Sequence, residues 1–358
     1  MVSTVRGFLA GIVTTGDMIE AFRDEDQCRR LLEELVWPSG RVCPGCGYLH
    51  STPIAGRTAR PGLYQCSNGD CRLQFTVTTR TPLHSTKLPL RVWLTALWLI
   101  LQSDKGISSV RLAEAVGVSQ PTAWRMGHAL RLLMSRQEPV EGTVEIDEFY
   151  LGGRPRNDAG RPRPVRKGQP QTTKTPVLTI VQRPPHLDDG APAGAAGART
   201  LKDWSASATQ RVLMHTVERS AHLMSDAGRS FLCAGKAFAA HDTVRHCDGE
   251  FARALVHANS AEGFNDRVRR TVAGVFHHIS QHLADLYFNE IGFRWSQRVV
   301  AGHGVRCNRK GREIVKTLWS RVAPALQLEA VFNHAAGRQL RRTPAGGIKV
   351  KSCVAVFG

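Results

Sequence analysis

The sequence predicts a multidomain α+β chain in which a helical, cysteine-pinned N-terminal region precedes a mixed α/β domain. Three observations point that way. Two cysteine pairs lie on turn-prone knuckles between residues 43 and 71, and apolar residues recur at helical spacing from 88 to 134. After Pro139, short apolar strands begin to alternate with helices. The 358 residues allow two or three domains, and a 42% hydrophobic content is enough for real cores, which excludes wholesale disorder. Forty-eight Lys and Arg against thirty Asp and Glu give a formal charge of +18, spread along the whole chain. Such an excess suits a polyphosphate partner, because every phosphate neutralised releases counterions.

Residues 1–40 form the first segment. Ile19, Phe22, Leu31, Leu32 and Leu35 have helical spacing, and Pro38, Ser39 and Gly40 end the pattern. Residues 41–85 hold Cys43 and Cys46 as CxxC, then Cys66 and Cys71 as CxxxxC after nineteen intervening residues, leading into a strand-like "LQFTVTT". Four thiolates from two knuckles can surround one Zn²⁺ tetrahedrally, and a β-rich unit with little core benefits from such a staple. The plainer alternative is unrelated free thiols, and the wider second pair is the less specific one. Cys28, Cys233, Cys247, Cys307 and Cys353 fall outside the set.

Residues 86–137 read as helical throughout. "LPLRVWLTALWLILQ" (88–102) is the most apolar run, but Arg91 interrupts it and it is too short to cross a bilayer, so it reads as a core helix. A helix, a Gly117-Val118 turn, a Ser119 cap and Pro121 in the next first turn then give helix-turn-helix spacing. Gln120 and Arg125 lie on the presumed recognition helix; the same pattern also occurs in ordinary helical bundles. No signal peptide or membrane span is recognisable, and nine cysteines in a long chain without export signals suit reduced thiols, so a cytoplasmic location is expected.

Residues 138–300 make the mixed domain. "TVEIDEFYL" and "TPVLTIVQR" (175–183) are strand-like, 199–204 is a third candidate, a helix is expected around 206–220, and "AHLMSDAGRSF" is a short strand that ends in Asp226. One long helical stretch is expected from about Glu262 to Trp295. Between the first two strands, 154–174 carries seven Arg and Lys against one Asp. It reads as a solvated linker or as a phosphate-gripping arm of Arg154, Arg156, Arg161, Arg163, Arg166 and Lys167. Residues 301–358 are a basic tail without an assignable motif.

The acids carry the chemistry. Glu145, Asp147 and Glu148 crowd an apolar strand, where an unpaired charge is costly. Alternation places Glu145 and Asp147 on one face and Glu148 on the other. Asp226 ends a second strand and Glu262 opens a helix. Two Asp and one Glu brought together can hold two Mg²⁺ ions for phosphoryl transfer, whereas each acid alone would suit a salt bridge or a helix N-terminus.

"EIDEFYLGG", "SDAGRSF" and "HANSAEGFNDRVRR…GVFHHISQHLADLYFNEIGFRWSQR" together resemble the core of bacterial insertion-sequence DDE transposases with an N-terminal zinc ribbon, over about residues 17–300. The resemblance implies a ribonuclease-H-like catalytic domain that uses Mg²⁺ or Mn²⁺ to cut double-stranded DNA at transposon ends and join it to a target. It also implies a homo-oligomer on DNA. Asp147 and Asp226 match the first two catalytic positions, Glu262 the third, and Asn259 a polar position used beside or in place of it; Glu145 and Glu148 are then supporting residues. The chain departs from the group at Asn265, where an aromatic is common, and at Arg269, where Lys is common. Arg269 lies about two turns beyond Glu262, on the same helix face, and suits a phosphate. The competing expectations are a non-catalytic DNA-binding regulator, which needs only residues 1–135, and a nuclease of the same fold without strand joining.

Overall fold

The computed structural model describes residues 2–56, 59–152, 174–245, 248–250, 252–307, 311, 313–333, 335–344 and 347–353. The chain divides into two units, one formed by residues 1–135 with 321–358 and the other by residues 136–320.

In the first unit, α1 (Val2–Ala10), α2 (Thr15–Ala21) and α3 (Glu25–Val36) precede the cysteine region. The helical spacing read over 17–37 falls on two helices, because Asp24 accepts from the Asp26 N–H and caps a new start. Strands β1 (Ser51–Pro53), β2 (Tyr64–Cys66) and β3 (Gln74–Phe75) pair antiparallel. The strand expected over "LQFTVTT" stops at Phe75, since the Thr79 hydroxyl accepts from the Thr76 N–H at 2.9 Å and turns the chain. Helix α4 (Leu90–Gln102) buries Trp93, Leu94, Leu97, Trp98 and Leu101, as its apolar sequence predicts. Helices α5 (Ser109–Val116) and α6 (Gln120–Leu133) follow, joined through Gly117 at φ +69°, a left-handed turn that glycine adopts without strain.

The second unit is built on a five-stranded sheet. Strands β4 (Thr143–Leu151), β5 (Thr175–Gln182) and β6 (Ala196–Thr200) form an antiparallel run, while β7 (His222–Asp226) and β8 (Ala240–Val244) continue it in parallel on the other side of β4. The spatial order is β6-β5-β4-β7-β8. Strand β6 begins earlier than the expected 199–204, because the chain bends after Thr200 to reach the Ser205 cap of α7 (Ala206–Thr216). With α8 (Arg229–Gly235), α7 covers one face over Val144, Ile146, Leu178, Ile180 and Leu223. On the other face α9 (Asn259–Thr271) lies on β4 and β5, and α10 (Ala284–Ser296) lies on β6.

The single long helix expected over 262–295 is therefore two. Helix α9 ends in a π turn at Val272–Phe276, His277 takes φ +57°, and a 3₁₀ turn at Gln281–Leu283 precedes α10. The apolar spacing is helical on both sides of the break, but α9 and α10 cover different strands, and no straight helix would place both. Contact of α10 with the sheet is close: a Cβ on Gly292 would sit 2.2 Å from the Ala196 carbonyl oxygen. Gly292→Ala should therefore destabilise this unit by about 1–3 kcal/mol, the usual cost of overpacking against an unyielding neighbour. A lowered urea midpoint would register the effect; an unchanged one would show that α10 can retreat from β6.

Beyond α10, β9 (Arg298–Cys307) and β10 (Glu313–Arg321) form a two-stranded sheet that is exposed along most of its length. The C-terminal residues return to the first unit as α11 (Gln327–Phe332), packed on α3, and the antiparallel pair β11 (Arg338–Arg342) and β12 (Ile348–Ser352).

Candidate active site and metal centre

The acids gather where β4 and β7 run side by side. Their parallel pairing reaches Glu145 opposite Met224, and Asp147 and Asp226 each lie two residues farther on, Asp147 midway along β4 and Asp226 as the last residue of β7. Side chains two residues apart share a face, so Glu145 and Asp147 both point to α9. That helix brings Asn259 and Glu262 in its first turn, both exposed. Asp147 accepts from Asn265 Nδ2 at 2.8 Å.

The electrostatics join these groups. Burial first pushes the Asp147 carboxyl up to about 6; the Glu148 backbone N–H and the Asn265 amide oppose the shift, and the charges of Asp226 and Glu262 add to it. Glu148 is pushed up to about 7 by lost hydration, then by Asp226 and Asp147, although its side chain still reaches solvent. Clustered carboxylates that repel one another suit a hard divalent cation, which takes oxygen ligands and relieves the repulsion.

Glu145 has a different task. It is 0% exposed and accepts four hydrogen bonds: from the Ser260 N–H at 2.6 Å, the Ala261 N–H at 3.1 Å, the Ser260 hydroxyl at 3.0 Å and Arg183 Nε at 2.5 Å. Two otherwise unpaired N–H groups of the first turn of α9 thus meet a buried carboxylate, in line with the helix dipole. Arg183 continues the network to the Leu255 carbonyl at 2.6 Å, the His257 carbonyl at 3.0 Å and His257 Nδ1 at 2.8 Å. Burial and then the Arg183 charge hold the His257 imidazole below its usual range, against the pull of Glu145, so its Nδ1 accepts from the guanidinium. Removing one partner of a buried pair strands the other. Glu145→Ala should cost about 3–5 kcal/mol of stability, seen as a lower urea midpoint, whereas an unchanged midpoint would show that Arg183 and α9 find other partners.

The four cysteines form the second centre. All four Sγ atoms lie within 4.8 Å of one another, with Cys43–Cys71 at 3.8 Å and Cys46–Cys66 at 3.6 Å. A tetrahedron with Zn–S bonds of about 2.3 Å has an edge of roughly 3.8 Å, so the spacing fits zinc. Burial pushes the Cys66 thiol up to about 12, while the Tyr48 backbone N–H lowers Cys46; a shared dication would reverse the first effect. Among the described residues, only these four draw three or more candidate ligands that close together; the acids are more widely spread.

Comparison with known proteins matches both centres. The model of the ISXO2-like transposase domain covers residues 139–296, from just before β4 to the end of α10, and that of the transposase zinc-ribbon domain covers residues 23–74, with all four cysteines. Residues 139–296 belong to the ISXO2-like transposase domain family and residues 23–74 to the transposase zinc-ribbon family. It is also 29% identical over 263 residues to a protein of Halobacterium salinarum (strain ATCC 700922 / JCM 11081 / NRC-1) described as an uncharacterized protein in transposable element ISH50, a match that covers 70% of this chain and 84% of that protein.

The remaining residues singled out in this transposase-family sequence are dispersed. Gln120 is exposed at the start of α6, its amide donating to the Ser109 hydroxyl at 2.8 Å, and Arg125 is half-buried one turn on. Arg269 is exposed, 3.3 Å from Asp266, with its guanidinium 5.7 Å from the centroid of the Phe149 ring on β4. Arg154, Arg156, Arg161, Arg163, Arg166 and Lys167 lie outside the described residues. No described helix is long and apolar enough to cross a membrane. Asn265, Thr179 and Arg183 escaped the sequence reading as site residues; the one signal was that Asn265 replaces an aromatic.

Proposed function

We propose that this transposase binds the ends of an insertion sequence and catalyses Mg²⁺-dependent DNA cleavage and strand transfer at Asp147, Asp226 and Glu262. The observation that carries the reading is the convergence of three acids from β4, β7 and α9, close enough for Asp226 and Glu262 to raise the Asp147 carboxyl. The sheet order, antiparallel through β6-β5-β4 and parallel through β4-β7-β8, supports a ribonuclease-H-like domain with Asp147 midway along β4 and Asp226 at the end of β7.

Bound divalent ions would supply charge to activate the attacking oxygen and to stabilise the departing one. The protein's own share is positional. Asp147 and Asp226 present carboxylate oxygens from adjacent strands, Glu262 closes the set from the first turn of α9, and Asn259 on that turn is the alternative third ligand. Glu145 fixes the start of the helix that bears them. Arg269 faces the backbone phosphates, the basic segment 154–174 grips DNA, and α5–α6 act as a helix-turn-helix whose Gln120 and Arg125 read base edges. The zinc ribbon adds a DNA-binding module, and two ends held together call for at least a dimer.

The test is incubation of purified protein, Mg²⁺, labelled DNA flanking its own gene and a target plasmid. Joined products are expected. Cleavage without joining would make the protein a nuclease, and binding without cleavage a regulator.

A further inference from the structure

Asn265, on α9, is a polar side chain only 1% exposed that packs onto two neighbouring strands. Its Oδ1 accepts from the hydroxyl of Thr179 on β5, and its Nδ2 donates to Asp147 Oδ2 on β4 at 2.8 Å. Thr179 is 0% exposed and stands directly opposite Asp147 in the β4–β5 register, so the amide spans one cross-strand pair. An ionised carboxylate only accepts, which requires the amide NH₂ to face Asp147 and its oxygen to face a donor. The Thr179 hydroxyl is that donor, and the acceptor-only carboxylate of Asp147 makes the opposite amide orientation unfavourable. Asn265 is also three residues from Glu262, on the same side of α9.

We propose that Asn265 is a positioning residue for Asp147. Its amide, held from behind by Thr179, commits Oδ2 to the protein, fixes the plane of the carboxylate and ties it to the helix that carries Glu262, so that both acids meet a divalent cation as one unit. This inference rests on the reading of Asp147 as a cation ligand.

The experiment compares zinc-loaded full-length wild type with Asn265→Leu, Thr179→Val, Thr179→Ser, the Thr179→Val/Asn265→Leu double variant and Asp147→Asn. Mn²⁺ affinity is measured by calorimetry without DNA, end cleavage at limiting and saturating Mn²⁺, DNA affinity without added Mn²⁺ or chelator, and folding by urea midpoint. Asn265→Leu should weaken Mn²⁺ binding about 10–100-fold, the usual effect of losing a partner of a metal ligand. Cleavage should fall at limiting Mn²⁺ and recover partly at saturation, with DNA affinity in the absence of added Mn²⁺ unchanged. Thr179→Val should lose less in the same direction, Thr179→Ser should restore wild-type behaviour, and the double variant should be no worse than Asn265→Leu, since both act through one contact. A folded Asn265→Leu with wild-type Mn²⁺ affinity and cleavage, beside an inactive Asp147→Asn, would overturn the proposal alone. If Asn265→Leu does not fold, unchanged Mn²⁺ affinity in Thr179→Val would overturn it. An Asp147→Asn that keeps both Mn²⁺ affinity and cleavage would overturn the catalytic reading and this inference with it.

Discussion

Asp147→Asn, Asp226→Asn and Glu262→Gln should each abolish cleavage of end DNA in Mg²⁺ while leaving the DNA affinity of the zinc-loaded protein without added divalent cation close to wild type. Each change keeps the shape and removes the charge that a hard cation needs. Loss of like charge beside a phosphate can even tighten binding slightly. Asp147→Asn carries a second signature. Because the folded protein holds this carboxyl up at about 6, against 3.8 ordinarily, it takes up a proton more readily than the unfolded chain does. Stability is therefore lost as pH rises from about 4 to about 6, and at neutral pH the whole cost is present. Removing the charge should stabilise the Mg²⁺-free, zinc-loaded protein at pH 7.5 by on the order of 1–3 kcal/mol, read as a higher urea midpoint, and should not do so at pH 4. Wild-type cleavage by Asp147→Asn would end the catalytic reading. Asn259→Ala distinguishes the third ligand: if it stops cleavage and Glu262→Gln does not, the asparagine holds that place.

Cys43→Ser and Cys66→Ser should each lower bound zinc from about one equivalent per chain and leave the segment around the cysteines open to proteolysis. The buried core there consists of Cys43, Tyr64, Cys66 and Phe75, flanked by Trp37, Cys71 and Leu73. So little apolar surface cannot fold alone, whereas a structural zinc contributes roughly 10–16 kcal/mol in small modules. Cys28, whose buried thiol is pushed up to about 12 and packs 3.6 Å from the Phe22 carbonyl, should tolerate replacement without loss of zinc. Cys233, Cys307 and Cys353, and Cys247 outside the described residues, should do the same. Zinc content unchanged in both Cys43→Ser and Cys66→Ser would remove the metal from the ribbon.

Much of this was legible because it is written locally. The two cysteine knuckles, the Ser119 and Pro121 start of α6, and Asp147 and Asp226 on apolar strands each rest on neighbouring residues. The relations that build the site are not local. Asn265 finds Thr179 eighty-six residues away, and Glu145 finds Arg183 thirty-eight away and Ser260 one hundred and fifteen away, so no spacing rule reaches them. The break between α9 and α10 was hidden for a different reason. Its cause is which strand each helix must cover, and helical periodicity persists on both sides. Strands β9 and β10 were missed because both their faces meet water, with Val305, Val315 and Leu318 among the exposed residues. Without a dry side there is no two-residue alternation to detect.

Helix α9 is fastened to β4 at two points, Ser260 and Ala261 on Glu145, and Asn265 on Asp147. The strand advances about 6.6 Å between its two anchor residues, and the helix about 7.5 Å between Ser260 and Asn265. The two lengths nearly match, so both rivets close only when strand and helix run alongside in one register. A sequence descended from this one could keep all three acids and be inert, because one substitution at a rivet would let the helix slip past the strand. An intact triad is thus a poor certificate of a working element. On the proposed catalytic reading, whether a copy can still move is better judged from Glu145, Thr179, Arg183 and Asn265, whose hydrogen bonds tie α9 to the strands beneath it.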